Sequence, residues 1–277
     1  MDDLDLETHR RLYPYLFKEG AINDETKEYF ENQALELHII CVRQAIQDTA
    51  LQAVRTSENM RTDYGATYIR FGVSRRLFMI LSSFNEIVRL IPLDRQEPLV
   101  LDESNLRMKE LNSLYINIRG VLDNLAWAAL NDFGIIDQDD IRPQSVHVFS
   151  KELKECEQLI DLYGEIGVFE NWGSDLGERR NPAAHRIPLT IPPSLLNPEE
   201  GKRYQELFND YWNAAANQEF DQAKELMDAI DQVGKFVPVF THHPHQQPML
   251  IFPTLPTDSA NTIKISRAFL SKLDTSE

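Results

Sequence analysis

Apolar positions recur at helical spacing along most of the chain. Leu35, Ile39, Val42, Ile46, Ala50 and Ala53 predict a long helix starting near Asn23 or Asp24, with Asp24, Glu25 and Glu28 suiting its N-terminal end. Residues 57–65 are polar and read as a turn. A second helix is expected over residues 66–90, where Leu77, Leu81, Phe84, Val88 and Ile91 repeat as a 4-3-4-3 seam for packing on other helices. Pro92 stops it. A third helix is expected over residues 105–131, with Leu111, Leu114, Ile118, Val121, Leu122, Leu125 and Ala129 as its core stripe and Phe133-Gly134 at its end. Arg119, Asp123 and Trp127 follow at i, i+4 and i+8 and line a strip beside that stripe. Spacing alone fits a surface ion pair and a cleft wall equally well.

The remaining pattern is more broken. Residues 1–22 read as a loosely docked arm that Tyr13, Tyr15, Leu16 and Phe17 would anchor. Residues 135–149 are irregular, closing on a β-like run at Val146, His147, Val148 and Phe149, in which His147 reads as structural. A fourth helical stretch, capped by Ser150, is expected to run toward residue 186. Residues 187–193 carry Pro188, Pro192 and Pro193, which bias their predecessors to extended backbone. Residues 198–232 read as an acidic helical segment or hairpin. Strand-like runs at 236–240, 249–252 and 262–265 predict a small β element. The expected fold is therefore mostly α, with an acidic helical insertion and a small C-terminal β element. The expected division is an arm over 1–23, a bundle over 24–192, and the acidic segment plus β element over 193–277.

Charge changes the picture. The 277 residues carry a formal net charge of −16, which opposes non-specific coating of nucleic acid, since phosphate binding rests on Lys and Arg. Residues 1–31 and 198–231 contribute −5 and −6 of it. Residues 171–190 are net +1, with Arg179, Arg180 and Arg186 against Asp175 and Glu178. A locally positive site on an acidic body is thus expected there. Cys41 and Cys156 lie in helix-like sequence and read as small buried hydrophobes. The acidic start lacks the apolar run of a signal peptide, and no stretch has membrane-spanning length. The expectation is a soluble cytoplasmic protein that does not engage a membrane.

The positive segment holds Arg180-Asn181-Pro182-Ala183-Ala184-His185. A histidine exchanges protons near neutral pH, and an arginine offers a fixed fork of donors to phosphate oxygens. Together they are a minimal set for cutting a phosphodiester without a metal. On one continuous helix, positions five apart stand roughly 140° apart. A helix break at Asn181-Pro182, with Asn as N-cap and Pro at the first helical position, would let them converge. The plain alternative is that Asn181 only caps, Arg180 pairs with Glu178 or Asp123, and His185 is a satisfied buried residue.

The arginine, the polar residue after it and the histidine resemble the R-x4-H signature of the HEPN superfamily. Leu122-Asp123-Asn124-Leu125-Ala126-Trp127 resembles the L-D-x-L-A-W helix that accompanies such motifs in bacterial proteins of this type, and Ala184 to Leu189 resembles their continuation. The resemblance covers roughly residues 24–192, where it implies a HEPN-like up-and-down helical bundle, and Pro182 departs from it. It implies a metal-independent endoribonuclease, often a toxin or phage-defence effector, working as a homodimer on RNA and at times held by an antitoxin or other protein partner. Carried over by position, His185 would exchange protons at the 2′-hydroxyl or the leaving oxygen. Arg180 would stabilise transition-state charge, Asn181 would orient, and Asp123 would supply the acid of the preceding helix. No cofactor is implied. Some members instead bind a nucleotide or a protein without catalysis, and this second reading stands beside the first. His242-His243-Pro244-His245 invites a metal reading, but the proline-rich setting and Gln246 and Gln247 argue against it.

Overall fold

Three long helices make the frame, as the apolar pattern requires. They are α2 (Asp24–Thr56), α4 (Ser74–Leu90) and α5 (Leu101–Asp132), and α4 packs along both of the others. The computed structural model describes residues 4–12, 24–135, 146–185, 187–242 and 247–275, leaving aside the side chains of 12, 24–30, 101 and 181–185. The chain is mostly helical, with one two-stranded antiparallel sheet among the described residues. No described helix is long and apolar enough to cross a membrane.

The stripe on α5 is buried as the periodicity demands, and α5 ends at Phe133 with Gly134 in the left-handed region at φ +61°. Leu77 and Phe84 on α4 and Ile91 at its end are buried as expected, but two other residues complete the seam. Ile80 and Ile87 are fully buried, while Leu81 and Val88 are only partly so. The expected single helix over 66–90 is three pieces. A short α3 (Asp63–Thr67) runs into a π-helical turn (Tyr68–Val73) and then into α4. A π turn holds more residues than an α turn and rotates everything after it.

The arm is anchored through its first helix. Its α1 (Leu6–Leu12) packs on α2, with Leu4 and Leu6 in the core; Tyr13, Tyr15, Leu16 and Phe17 lie outside the described residues. The expected fourth helix is a broken path. It comprises α6 (Lys151–Lys154), α7 (Ile160–Ile166) and α8 (Glu170–His185), linked by short 3-10 turns. The hydroxyl of Ser150 makes no capping bond to α6, and the Val146–Phe149 run forms a turn rather than a strand.

The acidic segment is a helical hairpin, α9 (Pro198–Ala216) and α10 (Phe220–Ile230). Asn197 caps α9 by accepting from the N–H groups of Glu199 and Glu200, and Glu200 returns the bond in a capping box with Pro198 at the first position. The hairpin sits beyond an antiparallel bridge between Leu195 and Lys235. Strands β1 (Val239–Phe240) and β2 (Met249–Leu250) pair in register.

The third strand-like run, 262–265, is corrected to helix: it lies within α11 (Ile251–Leu273). This helix is buried nearly all round against α2, α5 and α7. Its β-branched and hydroxyl residues, which read as strand, satisfy themselves inside the helix. Ser259, Thr262 and Ser266 each donate to the carbonyl four residues back, at 3.0, 2.8 and 2.7 Å.

Candidate functional site

Helix α8 places the Arg180–His185 stretch against α5. It is continuous from Glu170 to His185, so the expected break at Pro182 does not occur. Pro182 has no N–H to bond the carbonyl of residue 178, yet the helix carries on for three more residues. Arg180 and His185 therefore occupy positions roughly 140° apart around one helix, whereas Asn181 and His185, four apart, share a face. The side chains of Asn181 and His185 lie outside the described residues.

Arg180 is described, and it stands beside Asp123. The Asp123 carboxylate is half-buried between α5 and α8, with Arg119 Nε at 2.9 Å. Burial raises its proton affinity above the ordinary carboxylate range, while the charges of Arg119, Arg180 and Arg76 pull it back down. Three guanidinium groups thus surround one carboxylate on a protein of net charge −16. Arg119 and Asp123 on the α5 strip form the i, i+4 ion pair, both side chains partly exposed. The strip's third member, Trp127, stacks on Tyr68 of the π turn with ring centroids 5.9 Å apart.

Arg76 reaches this cluster across a glycine. A Cβ on Gly120 would lie 2.5 Å from the Arg76 guanidinium carbon, so only glycine lets the arginine lie flat on α5. Its Nη1 donates to the Asn117 side-chain oxygen at 3.1 Å. Nothing in the helical periodicity singles out Arg76 or Gly120, because the contact joins helices over forty residues apart in sequence.

On the other side, Arg119 borders a small polar pocket of about 260 Å³ with His147, Glu170, Ser174 and Glu178. His147 is half-buried. Its Nδ1 accepts from the N–H of Phe149 at 3.2 Å, which leaves Nε2 as the protonated nitrogen of the neutral ring. Burial first, then Arg119 and Lys154, lower its proton affinity, against Glu152 and Glu170. The alternating sequence around His147 marked it as structural; the fold adds an imidazole next to the arginine cluster.

Two latches hold the chain leaving α8. The Asn112 amide donates to Leu189 O at 2.8 Å and accepts from Leu189 N at 2.9 Å, as a strand partner would. The buried His242 ring contacts Ile187 O through Nδ1 at 3.0 Å. His242 thus belongs to the anchoring of this segment; His243 and His245 lie outside the described residues. Among the described residues no three His, Cys, Asp or Glu side chains converge as a metal ion requires.

Beneath α8 lies a buried polar knot that sequence reading missed. Asp258 of α11 accepts from Tyr115 Oη and Trp172 Nε1, both at 2.8 Å, and pairs with Arg179 Nη2 at 3.0 Å. It ties α5, α8 and α11 together and fixes the rotation of α8, and with it the direction of Arg180. The one local signal was that Asp258 is the only Asp, Glu, Lys or Arg in residues 246–263.

Comparison with protein-family models, curated proteins and solved structures returned no match for the chain.

Proposed function

We propose that the chain is a metal-independent endoribonuclease of HEPN type that acts as a homodimer. The observation that carries this reading is the position of Arg180 beside Asp123, Arg119 and Arg76. One carboxylate among three arginines leaves a surplus of positive charge and of fork-like donors, which suits a phosphodiester. In the reaction the 2′-hydroxyl oxygen attacks phosphorus, His185 takes its proton, and the bond to the leaving oxygen breaks as that oxygen takes a proton from water. Arg180 balances the charge on the phosphorane-like transition state. Because Arg180 and His185 diverge around α8, the working site draws on the α8 helices of two copies.

The test is a nuclease assay on total RNA and tRNA in EDTA. The wild type is expected to leave cyclic-phosphate ends. His185→Ala is expected to slow cleavage by about 10²–10⁴-fold and Arg180→Ala by about 10²–10³-fold, with folding intact. Cleavage at full rate by His185→Ala would sink the reading. A second reading, a non-catalytic module that binds a nucleotide or a protein partner, is favoured by the unbroken α8 and the acidic body. It predicts no cleavage and a thermal shift on adding the ligand.

A further inference from the structure

A second feature lies on the far side of Arg76 and contains no residue of the Arg180–His185 stretch. It is an open groove of about 900 Å³ between the α3–π–α4 segment and α5. One wall carries Phe71, Arg75 and Arg76; the other carries Lys109, Asn117 and Asn124. Among the described residues no Asp or Glu lines it, on a chain with 44 acids against 28 bases. The acid nearest to Lys109 is Glu110, at 3.4 Å, which also accepts from Ser83.

The apolar groups here are kept in water. Phe71 is 50% exposed and Met79 at the rim is 51% exposed. With Ile116, 38% exposed, they put apolar surface side by side along the groove. Arg75 already lies over the Phe71 ring at 4.6 Å, so ring and cation form one flat platform. The π turn that presents Phe71 also brings its backbone against α5. A Cβ on Gly72 would meet the Asn124 amide carbon at 2.6 Å. Irregular turns of this kind recur at functional sites.

We infer that this groove binds single-stranded nucleic acid. A flat aromatic–guanidinium platform takes an unpaired base on its face, and every base has such a face. Arg75, Arg76 and Lys109 take successive phosphates. The Asn117 and Asn124 amides supply donors and acceptors for base edges. A duplex offers no free base face, so the same groove discriminates against it. Arg76 belongs both to this groove and to the Asp123 cluster, so a strand in the groove leads to that cluster. The inference names the substrate form and its track for the nuclease reading, and rests on that reading for its biological sense. Its test is nonetheless separate from cleavage.

Fluorescence anisotropy with a labelled oligodeoxythymidine of about a dozen nucleotides measures binding alone, since the probe has no 2′-hydroxyl to cut. The full chain in EDTA is expected to bind it in preference to a duplex of the same length. With three phosphate contacts, affinity is expected to fall roughly fifteenfold between 50 and 200 mM salt. Phe71→Ala is expected to weaken binding about tenfold, and Arg75→Glu with Lys109→Glu by more. Trp212→Ala, on the exposed face of α9, is expected to change nothing. Equal affinity for duplex, or full binding by Phe71→Ala and the double reversal, would overturn the inference. So would a double reversal that leaves binding intact but dissociates the free protein into smaller species, which would make the groove a protein interface. Binding that follows these expectations while His185→Ala and wild type both fail to cut RNA would uphold the groove and remove the nuclease.

Discussion

His147 is the residue where the fold most changes the reading. Its folded-state proton affinity is lowered, chiefly by burial and then by Arg119 and Lys154. The sign of the consequence follows from linkage. Above about pH 6.5, the ordinary imidazole value, the ring is neutral in both folded and unfolded chain and costs nothing. As pH falls below that, the unfolded chain gains a proton that the folded chain resists, so stability falls until the folded value is passed. Thermal melting of wild type and His147→Gln from pH 8 to pH 5 is the check. The variant is expected to lose less stability between pH 6.5 and 5; parallel curves would show that His147 does not govern this range. Gly120 makes the complementary point. A helix-interior glycine reads as a local weakness, costing about 1 kcal/mol against alanine, yet here it is the space that Arg76 fills.

Among elements, α8 and α11 decide the site. Helix α8 carries few large apolar residues, and its hold on the body is largely polar. Through Arg179 and Trp172 it engages Asp258 of α11, which also takes the Tyr115 hydroxyl of α5. Asp258→Asn leaves the Arg179 guanidinium buried opposite a neutral group, and is expected to cost about 3–5 kcal/mol. Tyr115→Phe removes one hydrogen bond to a charged group and is expected to cost about 1.5–3 kcal/mol. Urea unfolding measures both; a loss under about 1 kcal/mol for Asp258→Asn would mean that the three helices are held by apolar contacts alone. The same elements mark where local pattern misleads. Pro182 suggested a break, but so close to the helix end it forfeits one bond. The 262–265 run suggested a strand, but hydroxyl-to-carbonyl bonds let α11 accept it.

At the scale of the molecule, charge is partitioned. The α9–α10 hairpin holds −6 of the −16 and packs on itself more than on any other element. Its buried residues Ala214, Ala223 and Ile230 are not part of the main core cluster. The Leu195–Lys235 bridge closes its base, with bonds of 2.8 and 3.2 Å. Replacing residues 198–231 by a short Gly/Ser linker is therefore expected to leave the melting temperature within about 5 °C, the effect of roughly 1–2 kcal/mol in a domain of this size. Calorimetry of the shortened chain is the check. Loss of the cooperative transition would place the hairpin inside the core.

The sequence by itself determined what depends on short-range periodicity. The extents of α2 and α5, the buried stripe of α5, the acidic helical segment and the locally positive stretch around Arg180 all follow from residue types a few positions apart. It also brought Arg119, Asp123 and Trp127 onto one strip, since i, i+4 spacing is a property of the helix itself. The tertiary structure alone decided which way that strip faces and what stands opposite it. Arg76 against Gly120, Asn112 against Leu189, Asp258 against Arg179 and His147 beside Arg119 each join residues distant in sequence, and no local pattern encodes such a pair. The π turn and the unbroken α8 belong to the same class. Each is a local choice whose free-energy differences are small, and packing against neighbouring helices, worth more in sum, settles it.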